Sequence, residues 1–340
     1  MKRVFYALTF CAALLLISTT VFAAEPNNTA DSIEYYTFAE IFPDANFREY
    51  VTDTVLADST DSKADDAALT AEQLDRISTY SWVNVSSREI KSLDGIEWFT
   101  GLKELDCYNN QLTSLDVSNN PLLGYLHCGS NHLTTLNVNS NPLLKTLWCG
   151  GNQLTALDVS NAPALEDLDC YNNQLTALDV SKNTQLKDLG CQSNHLTSLD
   201  LSHQAGFEIL YCEDNHFLLT SNAAQLDLST FPGTFDVTKA SEWTYAHITN
   251  GTTLEIPSCA TSITYKYDMG NGYSEIFTLE KDPAGTVPHS FGEWVTTIPA
   301  TTTTDGEEQR ICSVCGYKET RIIPATGNNG GGNSGGGGGS

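Results

Sequence analysis

Basic residues are scarce in this 340-residue chain: 17 Lys and Arg stand against 42 Asp and Glu, a formal net charge of −25. Phosphate backbones and anionic lipid surfaces are held by clustered Lys and Arg, so the charge balance argues against nucleic acid and anionic membranes as partners. Long apolar runs are also scarce, the one candidate being residues 4–21. Outside the glycine-rich tail there is no GxSxG, HExxH, P-loop or GxGxxG pattern. A hydrolase reading is therefore disfavoured, and the chain reads as a non-enzyme. The apolar fraction of 40% is enough for most of the chain to fold.

What is present begins with a processing signal. Lys2 and Arg3 precede the apolar stretch, and Val21-Phe22-Ala23 fits a small-residue cleavage rule, so residues 1–23 are expected to be a signal peptide. A membrane anchor is the alternative, disfavoured because no stop-transfer charges follow. Cleavage removes two bases, leaving 42 acids against 15 bases, a charge of −27. No membrane insertion is expected afterwards, and the chain should be secreted or held at a cell surface. At the other end, residues 327–340 read GNNGGGNSGGGGGS. Such a stretch has nothing to bury and is expected to be a flexible linker to something beyond Ser340.

The fold is decided by a repeat. Cysteines fall at 107, 128, 149, 170, 191 and 212, always 21 residues apart, inside units such as LKELDCYNNQLTSLDVSNNPL. In LxxLxC the second Leu and the Cys alternate with polar residues, the period of a half-buried strand. The Asn that follows (Asn110, Asn131, Asn152, Asn173, Asn194, Asn215) is expected to mark the turn and bond neighbouring turns. The second half, LTxLDVSxN, echoes the first, which leaves little room for a helix and predicts extended segments on both sides. The fold expected is a repeat solenoid, mostly β, with a small helical N-terminal cap and a small C-terminal β domain. LxxLxCxxNxL resembles the 21-residue, cysteine-containing class of bacterial leucine-rich repeats, internalin-like in the broad sense. The resemblance implies a secreted or cell-surface binding protein.

The expected organisation is a cap at 24–80, the repeats at 81–230, a β domain at 231–285, a small Cys-x-x-Cys module at 286–326 and the linker at 327–340. Helical spacing of Phe47, Tyr50 and Val51 suits the cap, and a second helix is expected at 69–77. Asp58, Asp61, Asp65, Asp66 and Glu72 invite a calcium loop, but Lys63 and Asp66 stand where a ligand and a glycine belong, so calcium is disfavoured. Residues 289–326 resemble a short module of surface proteins from Gram-positive anaerobes, with His289, Cys312 and Cys315 as zinc ligands. Thr302 replaces the expected fourth ligand. Zinc on these three with a water, or with the remote Cys259, and a Cys312–Cys315 disulfide or free thiols are the alternatives.

The six repeat cysteines point inward and are expected to be core thiols. Asp116, Asp158, Asp179 and Asp200, with Asn137, should bond backbone at a turn. Outward neighbours of the cysteines are Asp106, Tyr108, His127, Trp148, Asp169, Tyr171, Tyr211 and Glu213, flanked by Tyr125 and Asp167. Stacked exposed rings suit a binding face, with cross-strand packing as the alternative. Gly129, Gly150 and Gly190 are expected to leave gaps between rings. A neutral or basic protein or carbohydrate is the ligand expected on that face; a spacer or stalk presenting another domain is the competing role.

Overall fold

The computed structural model describes residues 36–57, 59–61, 63–219, 224–233, 235–281, 288–314, 316 and 318–325. The predicted signal peptide and glycine-rich linker lie outside the described residues. The chain forms two compact units. One contains the chain as far as Phe217, with Pro232–Phe235 and Tyr267–Phe277; the other contains Leu218–Phe231, Asp236–Lys266 and the chain from Thr278.

The first unit is the solenoid. Seven three-residue strands, β1 (Trp82–Asn84), β2 (Glu104–Asp106), β3 (Tyr125–His127), β4 (Thr146–Trp148), β5 (Asp167–Asp169), β6 (Asp188–Gly190) and β7 (Ile209–Tyr211), form one sheet in chain order. Every pairing is parallel, and residues 21 apart face each other from β2 onward, as in Leu105↔Leu126 and Leu126↔Leu147. The central Leu of β2 to β6 and the Cys after each of β2 to β7 enter the core, with Val83 and Val85 in the same places at β1. Cys107, Cys128, Cys149, Cys170 and Cys191 are fully buried thiols and Cys212 nearly so. Burial pushes these thiols well above the ordinary range, Cys212 to about 12, so they behave as small hydrophobes.

The turn after each strand is held by its Asn. In Asn152, Oδ1 accepts from Leu133 N (3.0 Å), while Nδ2 donates to Cys128 O (3.1 Å) and Cys149 O (3.0 Å). Asn131, Asn173, Asn194 and Asn215 repeat the arrangement. The residue before each Asn has positive φ, filled by Asn109, Ser130, Gly151, Asn172, Ser193 and Asp214, mostly types that tolerate this region.

Extended segments were expected on the opposite side as well. Leu112, Leu115 and Val117 are buried as the repeat predicts, but the described residues show only an isolated bridge there, Asp116↔Asn137. Asx turns take the place of a sheet: Asp116, Asn137, Asp158, Asp179 and Asp200 each accept the N–H two residues on, at 2.9–3.1 Å. A second file of buried amides then links the turns. Asn120 donates to Ile96 O and Phe99 O, Asn141 to Val117 O and Asn120 O, Asn183 to Val159 O and Ala162 O, each bond 2.9–3.0 Å long. Gln204 continues the file to Val180 O (2.8 Å). Position 162 breaks it with a buried Ala.

Both ends of the array are closed from within the first unit. At the front lie helices α1 (Phe38–Ile41), α2 (Ala45–Tyr50), a π-helical turn (Val51–Val55) and α3 (Ala71–Thr79). Thr37 and Thr70 begin α1 and α3 with reciprocal capping boxes to Glu40 and Gln73, which places α3 two residues later than the apolar spacing alone suggests. Phe38, Phe42, Phe47 and Phe99 are fully buried beneath these helices. Asp44 accepts from Lys91 N and Ser92 N, and Tyr50 from Asn84 N, binding the cap to the first turn. Two acids of the weak calcium motif have protein partners, Asp61 accepting from Thr70 Oγ1 (2.7 Å) and Asp65 pairing with Arg48 (2.7 Å), and Asp58 lies outside the described residues. At the far end, Asn271 in the hairpin turn donates to Leu201 O and Gln204 O, both at 2.7 Å. These carbonyls lie where the next amide of the second file would bind, so Asn271 stands in for a rung the chain no longer supplies.

The second unit is assembled from short antiparallel pieces. Strands in chain order are β8 (His216–Leu219), β9 (Gln225–Asp227), β10 (Ala240–Ser241), β11 (His247–Thr249), β12 (Thr253–Glu255), β13 (Ser262–Gly270), β14 (Tyr273–Lys281), β15 (Val295–Ile298), β16 (Gly306–Ile311) and β17 (Lys318–Ile323). β8, β13 and β14 are each divided between the units. Within the second, β11-β12-β9 form one three-stranded sheet and β15-β16-β17 another.

Two substitutions test the amide files. Ala162→Asn restores the missing rung and should raise stability by about 1 kcal/mol in denaturant unfolding. Asn271→Ala leaves buried carbonyls unpaired and should cost about 1–3 kcal/mol.

Candidate functional site

Strand alternation puts three columns of side chains on the outer face of the seven-stranded sheet. The first carries Trp82, Glu104, Tyr125, Thr146, Asp167, Asp188 and Ile209; the second Asn84, Asp106, His127, Trp148, Asp169, Gly190 and Tyr211. A third column, one residue beyond each Cys, includes Tyr108, Tyr171 and Glu213. The ten residues expected from the sequence therefore lie on one face. Reasoning from the cysteines passed over Trp82 and Ile209, about half exposed at 53% and 47%. It also passed over Glu104 and Asp188. Strand alternation in the degenerate first turn would have found Trp82.

The rings form a cluster rather than an open comb. Tyr108 stacks on His127 with centroids 4.7 Å apart, His127 meets Trp148 edge-on at 5.1 Å, and Tyr125 meets Trp148 at 5.5 Å. Trp148 Nε1 donates to Asp167 Oδ2 at 3.0 Å. Two of the expected gaps are filled. A Cβ at Gly150 would sit 2.3 Å from the Tyr171 ring, and one at Gly190 2.9 Å from Asp169 Oδ1, so these glycines admit neighbouring side chains. Tyr108 and Tyr211 remain the exposed rings of the set.

The electrostatics are one-sided. Burial raises the carboxyls of Asp167 and Asp169 above their ordinary range, and neighbouring acids add to it: Asp188 acts on Asp167, and Asp167 on Asp169. His127 Nδ1 lies 3.4 Å from Asp106 Oδ1, which favours the imidazolium, yet burial outweighs this and lowers the His127 pKa. Asp188 Oδ1 and Gln192 Oε1 are buried without a hydrogen-bond partner among the described residues. To one side, Glu166 bridges Lys145 (3.2 Å) and Lys187 (3.0 Å), occupying two of the few bases nearby.

Of the predicted metal ligands, His289 and Cys312 lie together in the second unit, and Cys315 lies outside the described residues. Cys259 joins them.

This fold is a leucine-rich repeat solenoid, and residues 142–183 match the family described as Leucine Rich repeats (2 copies). No curated protein matches the chain. Among solved structures, the functional domain of InlJ from Listeria monocytogenes, which includes a cysteine ladder, is 30% identical, covering 56% of this chain and 50% of that one at a TM-score of 0.33. A leucine-rich repeat protein of Leptospira interrogans is 24% identical over 44% of this chain and 41% of that one (TM-score 0.38). Internalin C2 of Listeria monocytogenes is 19% identical over 54% of this chain and all of that one (TM-score 0.31). The chain thus spans half or less of the first two. No helix among the described residues is long and apolar enough to cross a membrane.

A raised carboxyl pKa in the native state means that stability falls as pH rises through that interval and stays lower above it. Asp169→Asn keeps an oxygen to accept from Tyr171 N and removes the buried charge. Its melting temperature should exceed that of the natural chain at pH 7, with the gain vanishing at pH 3, where both states are protonated.

Proposed function

We propose that the outer face of the sheet is a recognition surface for a neutral or basic protein or carbohydrate ligand, on a chain that is secreted or displayed at a cell surface. One observation carries this reading: carboxylates and aromatic rings are concentrated, partly desolvated, on a face with almost no bases of its own. Partly desolvated Asp167 and Asp169 have hydrogen-bond donors but cost stability without a counter-charge, and a cationic group on a partner would offset that cost. Asp188 Oδ1 and Gln192 Oε1 offer acceptors that the described chain does not satisfy. Tyr108, Tyr211 and Trp82 supply apolar contact area with few rotatable bonds. Tyr125, His127, Trp148 and Tyr171 form the packed floor between them, and Asp106 and Glu213 widen the acidic field. Leucine-rich repeats commonly serve as non-enzymatic interaction scaffolds.

The test is a screen of the full chain against arrayed glycans and displayed peptides, followed by variants on each ligand recovered. Tyr211→Ala should weaken binding about tenfold, an aromatic anchor's worth, with the melting temperature unchanged. Trp148→Ala should lower both binding and stability, because its ring is packed and hydrogen-bonded. Added salt should weaken binding. Ligands held equally well by both variants at all salt concentrations would refute the assignment.

A further inference from the structure

We propose that Cys259, His289 and Cys312 form a zinc site that holds the C-terminal module in the second unit. Cys259 comes from the turn after β12, whereas His289 and Cys312 come from the module beginning near residue 286. Their ligand atoms all lie within 4.8 Å of one another. The Sγ atoms of Cys259 and Cys312 are 3.7 Å apart, and both residues are almost wholly buried at 1% exposure. A disulfide needs about 2.05 Å between sulfurs. Two thiolates at about 2.3 Å from a tetrahedral zinc stand about 3.8 Å apart, which is the spacing found. Soft sulfur with imidazole selects zinc over calcium or magnesium.

The backbone around these atoms is built for the purpose. Phe291 and Cys312 form an antiparallel bridge, and Ser313 N donates to Ser290 O at 2.9 Å, which brings the His289 segment to Cys312. Gly316, at φ +76°, donates to Cys312 O at 2.9 Å; this left-handed position is one that glycine takes without penalty. On the other side, Ala260 N donates to Pro257 O and Lys281 N to Thr261 O, fixing the turn that carries Cys259.

A second observation points to the same ligand. Among the described residues from 288 onward, only Gly306 and Cys312 are buried. Val295, Ile298, Ile311 and Ile322 of the β15-β16-β17 sheet are about half exposed or more (63%, 54%, 49% and 69%). Arg310 over Phe291 and Trp294, and Arg321 over Trp294, supply surface contacts in place of a core. A three-stranded sheet without a core needs a staple, and metal binding supplies folding free energy directly.

The full chain, purified without chelator under reducing conditions, should contain about one zinc per molecule by elemental analysis. Cobalt exchanged into it should give thiolate-to-cobalt charge-transfer absorption with tetrahedral ligand-field bands. Cys259→Ser and His289→Ala should drop the metal below about 0.2 per molecule, while the buried core variant Cys149→Ala keeps it. Removing zinc from the natural chain should make the module cleavable by protease and leave the repeats resistant. Zinc retained in full by Cys259→Ser would overturn the assignment. So would a metal-free natural chain with Cys259 and Cys312 either disulfide-linked or open to alkylation, and so would a cobalt spectrum without thiolate bands.

Discussion

The amide side chain of one asparagine per turn is the interaction on which the solenoid depends. A three-residue strand supplies few backbone hydrogen bonds, and a turn of 21 residues has many more polar groups than its strand can pair. Asn131, Asn152 and their equivalents accept one N–H of the preceding turn and donate to carbonyls of both turns. The core can then be lined with leucine, valine and cysteine, without orphaned backbone. The small Cys side chain suits a site flanked above and below by its own copies, where a larger residue would overfill the stack.

Much of this was legible because a fixed period forces each residue of the unit into one environment. Six cysteines in register could only be a core rung, and the Asn three residues later could only be a turn. Contacts made by parts of the chain outside the period were not legible. Nothing in the sequence marks Asn271 as a substitute rung, since the carbonyls it meets belong to Leu201 and Gln204, some seventy residues earlier. Cys259 could be noted as a spare cysteine, but its approach to Cys312 is a fact of the tertiary fold. Gly150 and Gly190 were misread for a subtler reason. Spacing assigns a side chain to a column but not the direction in which it leans, and Tyr171 and Asp169 lean into the spaces those glycines leave.

The outer face shows the tension expected where a surface serves something other than the fold. Rings that could have been exposed are partly folded onto each other, which limits their cost in water. The acids have not been relieved in the same way. Glu104, Asp106, Asp167, Asp169 and Asp188 share the sheet with little compensating charge, and the flanking lysines are engaged by Glu166. A sheet optimised for its own stability would interleave the two signs across neighbouring strands.

The amide files also have a direction. Each Asn grips the turn before it, so every turn ends with groups that only a following turn can satisfy. The hairpin carrying Asn271 closes that series. If it were displaced, Leu201 O and Gln204 O would lose the amide that now meets them. The hairpin therefore supplies from some seventy residues away the donors that a following turn would otherwise provide.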